Sequence, residues 1–255
     1  MEIRNNTFII TGAASGLGEA AARNIVAEGG NVAVFDVADD AGKSLAEELG
    51  KAAIYCHTDV GDEDSTANGI QRTMNAFGAV HGVINCAGIA PGAKVVGKKG
   101  PMPLEKFTAA IRINLTGTFN VIRLAAGHMI ANTPNGDGER GVVINTASVA
   151  AFEGQIGQVA YAASKAGIVG MTLPMAREFA EHGIRVNTIA PGLFDTPMFA
   201  SFSEAVRESL QKQLPFPSRF GKPSEYALLV KSIIENPLLN GETIRLDSAM
   251  RMQAR

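Results

Sequence analysis

The sequence predicts an α/β fold: a single domain over residues 1–255 built on a doubly wound sheet of about seven parallel strands with helices on both faces. Three observations predict it. Short β-branched runs alternate with longer alanine-rich stretches of helical spacing, the order that builds βαβ units. The strand runs are continuously apolar rather than alternating, as in a parallel sheet covered on both sides. The first run passes straight into a glycine-rich turn, TGAASGLG at 11–18, which would open the first helix.

Each element follows in order. TFIIT at 7–11 is the first strand, and 16–29 carries the first helical pattern. NVAVFDV at 31–37 and AAIYCHTD at 52–59 are the next strands, followed by helices over 38–50 and 62–77. VHGVINCAG at 80–88 leads to a long helix over 104–132, and GVVINTAS at 141–148 to one over 158–182. IRVNTIAPG at 184–192 and ETIRLD at 242–247 complete the strands, with a helix over 223–236 between them. Right-handed crossovers then place the helices on both faces of a Rossmann-type sheet. Two polar Gly/Pro segments, 91–103 and 131–141, read as surface loops; the first borders the carboxyl ends of the strands and the second lies at the opposite end. The stretch 193–213 holds Leu193, Phe194, Met198, Phe199 and Phe202 and reads as core or as a lid.

Composition narrows the function classes. A net charge of −2 with no basic stripe does not favour nucleic acid, and leaves a small anionic ligand open. No apolar run approaches the roughly 18 residues that span a bilayer. MEIRNN lacks a signal-peptide core, so a cytoplasmic location is expected, or the mitochondrial matrix in a eukaryote. Cys56 and Cys86 fall near strand ends as expected free thiols, and the four histidines show no ligand spacing, so no metal site is expected.

The glycine turn marks a cofactor end. Gly12, Gly16 and Gly18 permit a tight turn and close approach of a pyrophosphate to a helix N-terminus, while Ser15 and Leu17 add a hydroxyl and backbone N–H groups. Asp36 closes the second strand, where a carboxylate accepts from an adenosine ribose and repels a 2′-phosphate; the cofactor predicted is NAD. Asp59 and Val60 end the third strand, where they can meet an adenine. Asn85, Cys86, Ala87 and Gly88 end the fourth with small side chains that can lie against a ribose.

Ser148, Tyr161 and Lys165 mark a chemical end. A secondary alcohol releases hydride readily only if its hydroxyl proton leaves too, which requires a base. Tyr161 is that candidate base, with Lys165 one helical turn along and a positive nicotinamide together expected to lower its pKa. Ser148, at the end of the fifth strand, can orient the substrate oxygen, and Asn114 would support a proton path through water and Lys165.

TGAASGLG, NCAG at 85–88, Asn114, Ser148, YAASK at 161–165 and PG at 191–192 together resemble the short-chain dehydrogenase/reductase family over the full length. Stretches 143–174, 188–194, 214–219 and 233–247, with the terminal RMQ, resemble one branch closely, a branch that oxidises 3-hydroxyacyl-CoA. The resemblance implies NAD dependence, a homotetramer, and catalytic roles for Ser148, Tyr161, Lys165 and Asn114. It implies cofactor contacts from Ser15, Leu17, Asp36, Asp59, Val60, Cys86, Tyr161, Lys165, Phe194 and Thr196. Gly12, Gly16, Gly18, Ala87, Gly88 and Pro191 join that set, and Ser148, Gln155 and Tyr161 are expected to touch substrate. Steroid or other alcohol oxidation is the alternative, and the branch also includes a member that acts as a noncatalytic subunit in RNA processing. Asp195 departs from the branch, which usually has glycine there; its carboxylate either alters substrate preference or faces solvent.

Overall fold

The computed structural model describes residues 1–197 and 204–254. Its strands are β1 (Thr7–Thr11), β2 (Asn31–Asp36), β3 (Ala53–His57), β4 (Gly82–Asn85), β5 (Val96–Gly97), β6 (Gly100–Pro101), β7 (Gly141–Thr146), β8 (Ile184–Pro191) and β9 (Thr243–Leu246). Its α-helices are α1 (Gly16–Ala27), α2 (Asp39–Leu49), α3 (Glu63–Phe77), α4 (Leu104–Ala110), α5 (Thr118–Ile130), α6 (Val159–Glu178), α7 (Glu204–Gln211) and α8 (Pro223–Glu235). Seven strands form one parallel sheet in the order β3-β2-β1-β4-β7-β8-β9, and these are the seven predicted, trimmed at their ends.

Side-chain alternation along each strand explains the continuous apolar runs, because both faces are covered. Phe8 and Ile10 of β1 pack with Ile25 of α1, Leu45 of α2 and Ile233 of α8. Ile9 points the other way, toward Ile70 of α3, Met129 of α5 and Met175 of α6. Every residue of β1, β7 and β8 is buried, whereas the edge strand β9 is only partly so. At about 1.5–3 kcal/mol for each large apolar side chain removed from water, these two layers dominate the stability of the sheet.

Strand order reverses between β1 and β4, so the chain leaves their carboxyl ends, Thr11 and Asn85, in opposite directions and opens a crevice there. That crevice is where the predicted residues gather.

The structure corrects two expectations and bears out part of a third. The helix over 104–132 is not continuous: a π-helical segment, Ile111–Gly117, separates α4 from α5. Its cause is tertiary, since Val60 presses on Gly117, where a Cβ would lie 2.6 Å from Val60 Cγ2, and Asn114 is held by hydrogen bonds across the site. The loop at 91–103 contains the antiparallel hairpin β5–β6. The 193–213 stretch contains α7, and Leu193 and Phe194 are core residues, buried in separate clusters. Met198, Phe199 and Phe202 lie outside the described residues. Cys56 and Cys86 are free thiols. Among the described residues no helix is long and apolar enough to cross a membrane.

Candidate active site

The cofactor end is assembled from three strand ends locked together by backbone hydrogen bonds. Gly12 sits at φ +61°, and a Cβ there would lie 2.7 Å from the Ala87 nitrogen, so glycine lets the β4 exit press against the turn. Thr11 Oγ1 accepts from the amides of Cys86, at 3.2 Å, and Ala87, at 3.1 Å. Gly18 has no room for a side chain, because its Cβ would meet the Gly12 carbonyl. Ser15 precedes α1 in an extended conformation and its hydroxyl does not cap the helix. Among the described residues no side chain caps the first-turn N–H groups, Leu17 among them, at the positive end of the helix dipole, an arrangement that suits a phosphate.

Asp36 lies beside this turn and shapes it. One carboxylate oxygen accepts from Ala14 N at 2.9 Å and the other from Ala38 N at 3.0 Å. A carboxylate has about four acceptor positions, so two remain for a ligand hydroxyl. Asp59 spends its oxygens on Gly61 N at 2.9 Å and Arg112 Nη1 at 3.1 Å, and Val60 is buried in the core. Past β8, which ends at the buried Pro191, the chain crosses the turn: a Cβ at Gly16 would come 3.4 Å from Thr196 Cγ2. Phe194 is turned inward, 4% exposed, its ring where a Gly221 side chain would be. Asp195 is exposed and pairs with Arg207 of α7 at 2.8 Å, so its carboxylate ties this crossing to α7.

At the chemical end, α6 starts at Val159 and presents Tyr161 and Lys165 on one face, as an i, i+4 pair must. Ser148 follows β7 and opens the 3₁₀ turn Val149–Ala151, its Oγ accepting from Ala150 N at 3.1 Å. Burial raises the Tyr161 phenol above its ordinary range, and Ser148 opposes that shift. Lys165 is not among the groups that shift the phenol here. Lys165 Nζ instead donates to the Thr146 carbonyl at 2.6 Å and stands 5.8 Å from the centre of the tyrosine ring. Its own burial pushes the ammonium down to about 8.

Asn114 is fully buried at the centre of the π-helical segment, and its amide makes three hydrogen bonds. Oδ1 accepts from Ile89 N at 2.8 Å, while Nδ2 donates to Ile89 O at 2.8 Å and to Ser164 Oγ at 2.9 Å. Ser164 in turn donates to the Tyr161 carbonyl at 2.7 Å, so Asn114 clamps the β4 exit to the helix that carries the tyrosine. Gly88 fits into the same clamp: a Cβ there would lie 3.2 Å from Asn114 Oδ1 and 3.5 Å from Lys165 Nζ.

A cavity of about 500 Å³ opens between the β5–β6 hairpin and the 154–159 loop, lined in part by Lys94, Val95, Val96, Gln155, Ile156 and, at the start of α6, Ala162. Gln155 Nε2 donates to Gln253 O at 3.0 Å, which ties this wall to the carboxyl-terminal segment. Lys98 and Lys99 form the exposed hairpin tip. A larger cavity, about 630 Å³, lies at the other end of the sheet between Glu2 and the 133–140 loop, away from these side chains.

Sequence reasoning missed three supporting groups: Thr11, whose hydroxyl binds two amides; Thr146, whose carbonyl holds Lys165; and Ser164, which completes the Asn114 clamp. Only the placing of Thr11 and Thr146 at strand ends hinted at them, and Ser164 inside α6 left no signal.

A family model described as short chain dehydrogenase matches residues 6–207. The 3-hydroxyacyl-CoA dehydrogenase type-2 of Drosophila melanogaster is 52% identical over 252 residues, covering 98% of this chain and 99% of the relative. The Homo sapiens protein of the same name is 53% identical over 253 residues, covering 98% and 97%. A crystal structure of 3-hydroxyacyl-CoA dehydrogenase type-2 from Mycobacterium avium is 39% identical and superposes with a TM-score of 0.93, covering 100% of both chains. With a doubly wound sheet, a glycine turn closed by an acidic strand end, and a buried Ser-Tyr-Lys cluster facing it, the chain belongs to the short-chain dehydrogenase family of nicotinamide-dependent oxidoreductases acting on CH–OH groups.

Proposed function

We propose that this chain oxidises a short or branched (S)-3-hydroxyacyl-CoA to the 3-oxoacyl-CoA with NAD, as a homotetramer. The observation that carries the reading is the Ser148-Tyr161-Lys165 cluster set across the crevice from a glycine turn that Asp36 closes. The acyl-CoA class is supported by relatives of that name at 52–53% identity over nearly the whole chain. It is further supported by an apolar cavity rimmed by Lys94, with Lys98 and Lys99 nearby, suited to an acyl chain followed by phosphates.

Bound nicotinamide supplies the hydride acceptor. Ser148 orients the substrate oxygen by hydrogen bonding, and Tyr161 takes the hydroxyl proton. Lys165, protonated below about pH 8, supplies positive charge beside the phenol. Asn114 keeps α6 and the β4 exit in register, so the three side chains meet the same point. For the cofactor, the uncapped N-terminus of α1 receives a pyrophosphate and the free acceptor positions of Asp36 receive the ribose hydroxyls. Gly12, Gly16, Gly18, Ala87, Gly88, Thr196 and Pro191 give close backbone approach around it, with Ser15, Leu17, Asp59, Val60, Cys86 and Phe194 completing the wall. Gln155 borders the substrate.

The test is a panel of 3-hydroxyacyl-CoAs, hydroxysteroids and simple secondary alcohols with NAD and NADP, compared by kcat/KM. A short or branched acyl-CoA with NAD should lead. A steroid in first place, or a preference for NADP, would overturn the substrate or the cofactor assignment respectively.

A further inference from the structure

Lys165 owes its position to the Thr146 carbonyl, and side chains outside the site described above hold Thr146. β4 stops pairing with β7 at Asn85 opposite Asn145, one residue short of Thr146, so the Thr146 carbonyl lies past that ladder and is open to Lys165 Nζ. The Thr146 side chain meets Tyr226 of α8, hydroxyl to hydroxyl at 2.8 Å. Cys86 Sγ completes a triangle, 3.4 Å from the Tyr226 hydroxyl and 3.6 Å from Thr146 Oγ1. Tyr226 is fully buried and reaches Thr146 from the face of the sheet opposite to α6. Phenylalanine would fill the same core volume without a hydroxyl to satisfy, so packing alone does not call for a tyrosine here.

We propose that Tyr226 is a positioning residue for Lys165, acting through Thr146: its hydroxyl fixes the end of β7 so that the carbonyl points at the ammonium and keeps it beside Tyr161. The inference rests on the reading of Tyr161 and Lys165 as the proton-handling pair. A hydrogen bond to the ammonium favours its charged form, so a loosened carbonyl lets burial lower the Lys165 pKa further. The titratable groups facing this corner are Cys86 at the β4 exit, which favours the charge, Tyr161 on α6 itself, and Tyr226 from α8.

The experiment titrates Lys165 by NMR of ¹³Cε-labelled lysine, with the signal assigned by its loss in Lys165→Arg. It needs no substrate, so its outcome is separate from that of the acyl-CoA reading. In Tyr226→Phe and in Thr146→Val the midpoint should fall by roughly 0.5 to 1 on the pH scale, the size of one net hydrogen bond. The double variant should fall no further, because both changes cut one link, and the same fall should persist in a Cys86→Ala background. The alkaline limb of kcat should move down with it. Thr146→Ser keeps the hydroxyl and should leave the midpoint in place, which decides the matter even if Tyr226→Phe fails to fold. An unmoved midpoint in Thr146→Val, additive shifts in the double variant, or a Ser variant that falls as far as Val would each overturn the proposal.

Discussion

Tyr161 and Lys165 are both held away from their ordinary titration ranges by burial, and in opposite directions. A phenol held in this way resists ionisation, and positive charge beside it would favour the phenolate. Tyr161→Phe should lower kcat by about 10²- to 10⁴-fold, the usual worth of a general base, while calorimetry finds NAD binding nearly unchanged. Retention of a tenth of wild-type kcat would remove Tyr161 from that role. For Lys165 the sign runs through stability. Its pKa falls from 10.5 to about 8 on folding, so between those values the unfolded chain binds more protons than the folded one. Stability therefore rises with pH across that window, and the full penalty stands below about pH 8. Lys165→Met removes the penalty and should be more stable than wild type at pH 7, by up to about 3 kcal/mol, while losing turnover. Urea unfolding at pH 7 and pH 10 checks both sides: the advantage should shrink at the higher pH. A Met variant less stable at pH 7 would mean that the lost hydrogen bond to Thr146 outweighs the relief of desolvation.

Between elements, the decisive contacts join strand ends rather than helices. Asp36 ends β2 yet accepts an amide from the β1–α1 turn, so one carboxylate holds the turn while keeping acceptor positions for a ligand hydroxyl. Asp36→Ala should weaken NAD and raise the NADP/NAD ratio of kcat/KM by about tenfold or more, the worth of one hydrogen bond to a charged group. An unchanged ratio would assign Asp36 to the turn alone. The 193–197 crossing shows the same economy: Thr196 lies on Gly16, and Asp195 pairs with Arg207 at an exposed position. Such a pair is worth about 0–1 kcal/mol, so it biases the placement of α7 without holding the fold together.

At the scale of the whole molecule, charge and exposed apolar surface point in two directions. Lys94 borders the cavity beside the start of α6, and Lys98 and Lys99 stand at the adjoining hairpin tip. Replacing all three with alanine should raise KM for an acyl-CoA and leave a neutral alcohol unaffected. The effect should be greatest at low salt, because exposed charges are screened within about 10 Å at 0.1 M. Equal changes for both substrates would show that the hairpin shapes the pocket without reading phosphate. Separately, Phe119, Val159, Leu173, Leu228 and Leu238 lie exposed on or beside α5, α6 and α8, and the homotetramer reading covers them with further copies of the chain. Sedimentation equilibrium should give a species of about four times 26.7 kDa, and a monodisperse monomer would reject that reading.

The sequence by itself determined the sheet, because continuous apolar runs of five to eight residues between helical stretches satisfy their backbones only as covered parallel strands. It also determined which side chains meet at the crevice, since Gly12, Asp36, Ser148 and Tyr161 each stand at or just past a strand end or at a helix start, where a doubly wound topology must gather them. Tertiary structure alone decided how they are held. The π-helical segment around Asn114 leaves no periodic trace, because it arises from Val60 and the β4 exit pressing on one turn of an otherwise regular helix. The inward turn of Phe194, the pairing of Asp195 with Arg207, and the hold of Thr146 on Lys165 likewise join residues far apart in the structure's wiring or hidden in the backbone. Local pattern records which face a residue takes; which atom receives its hydrogen bond is settled only when the strand ends close on one another.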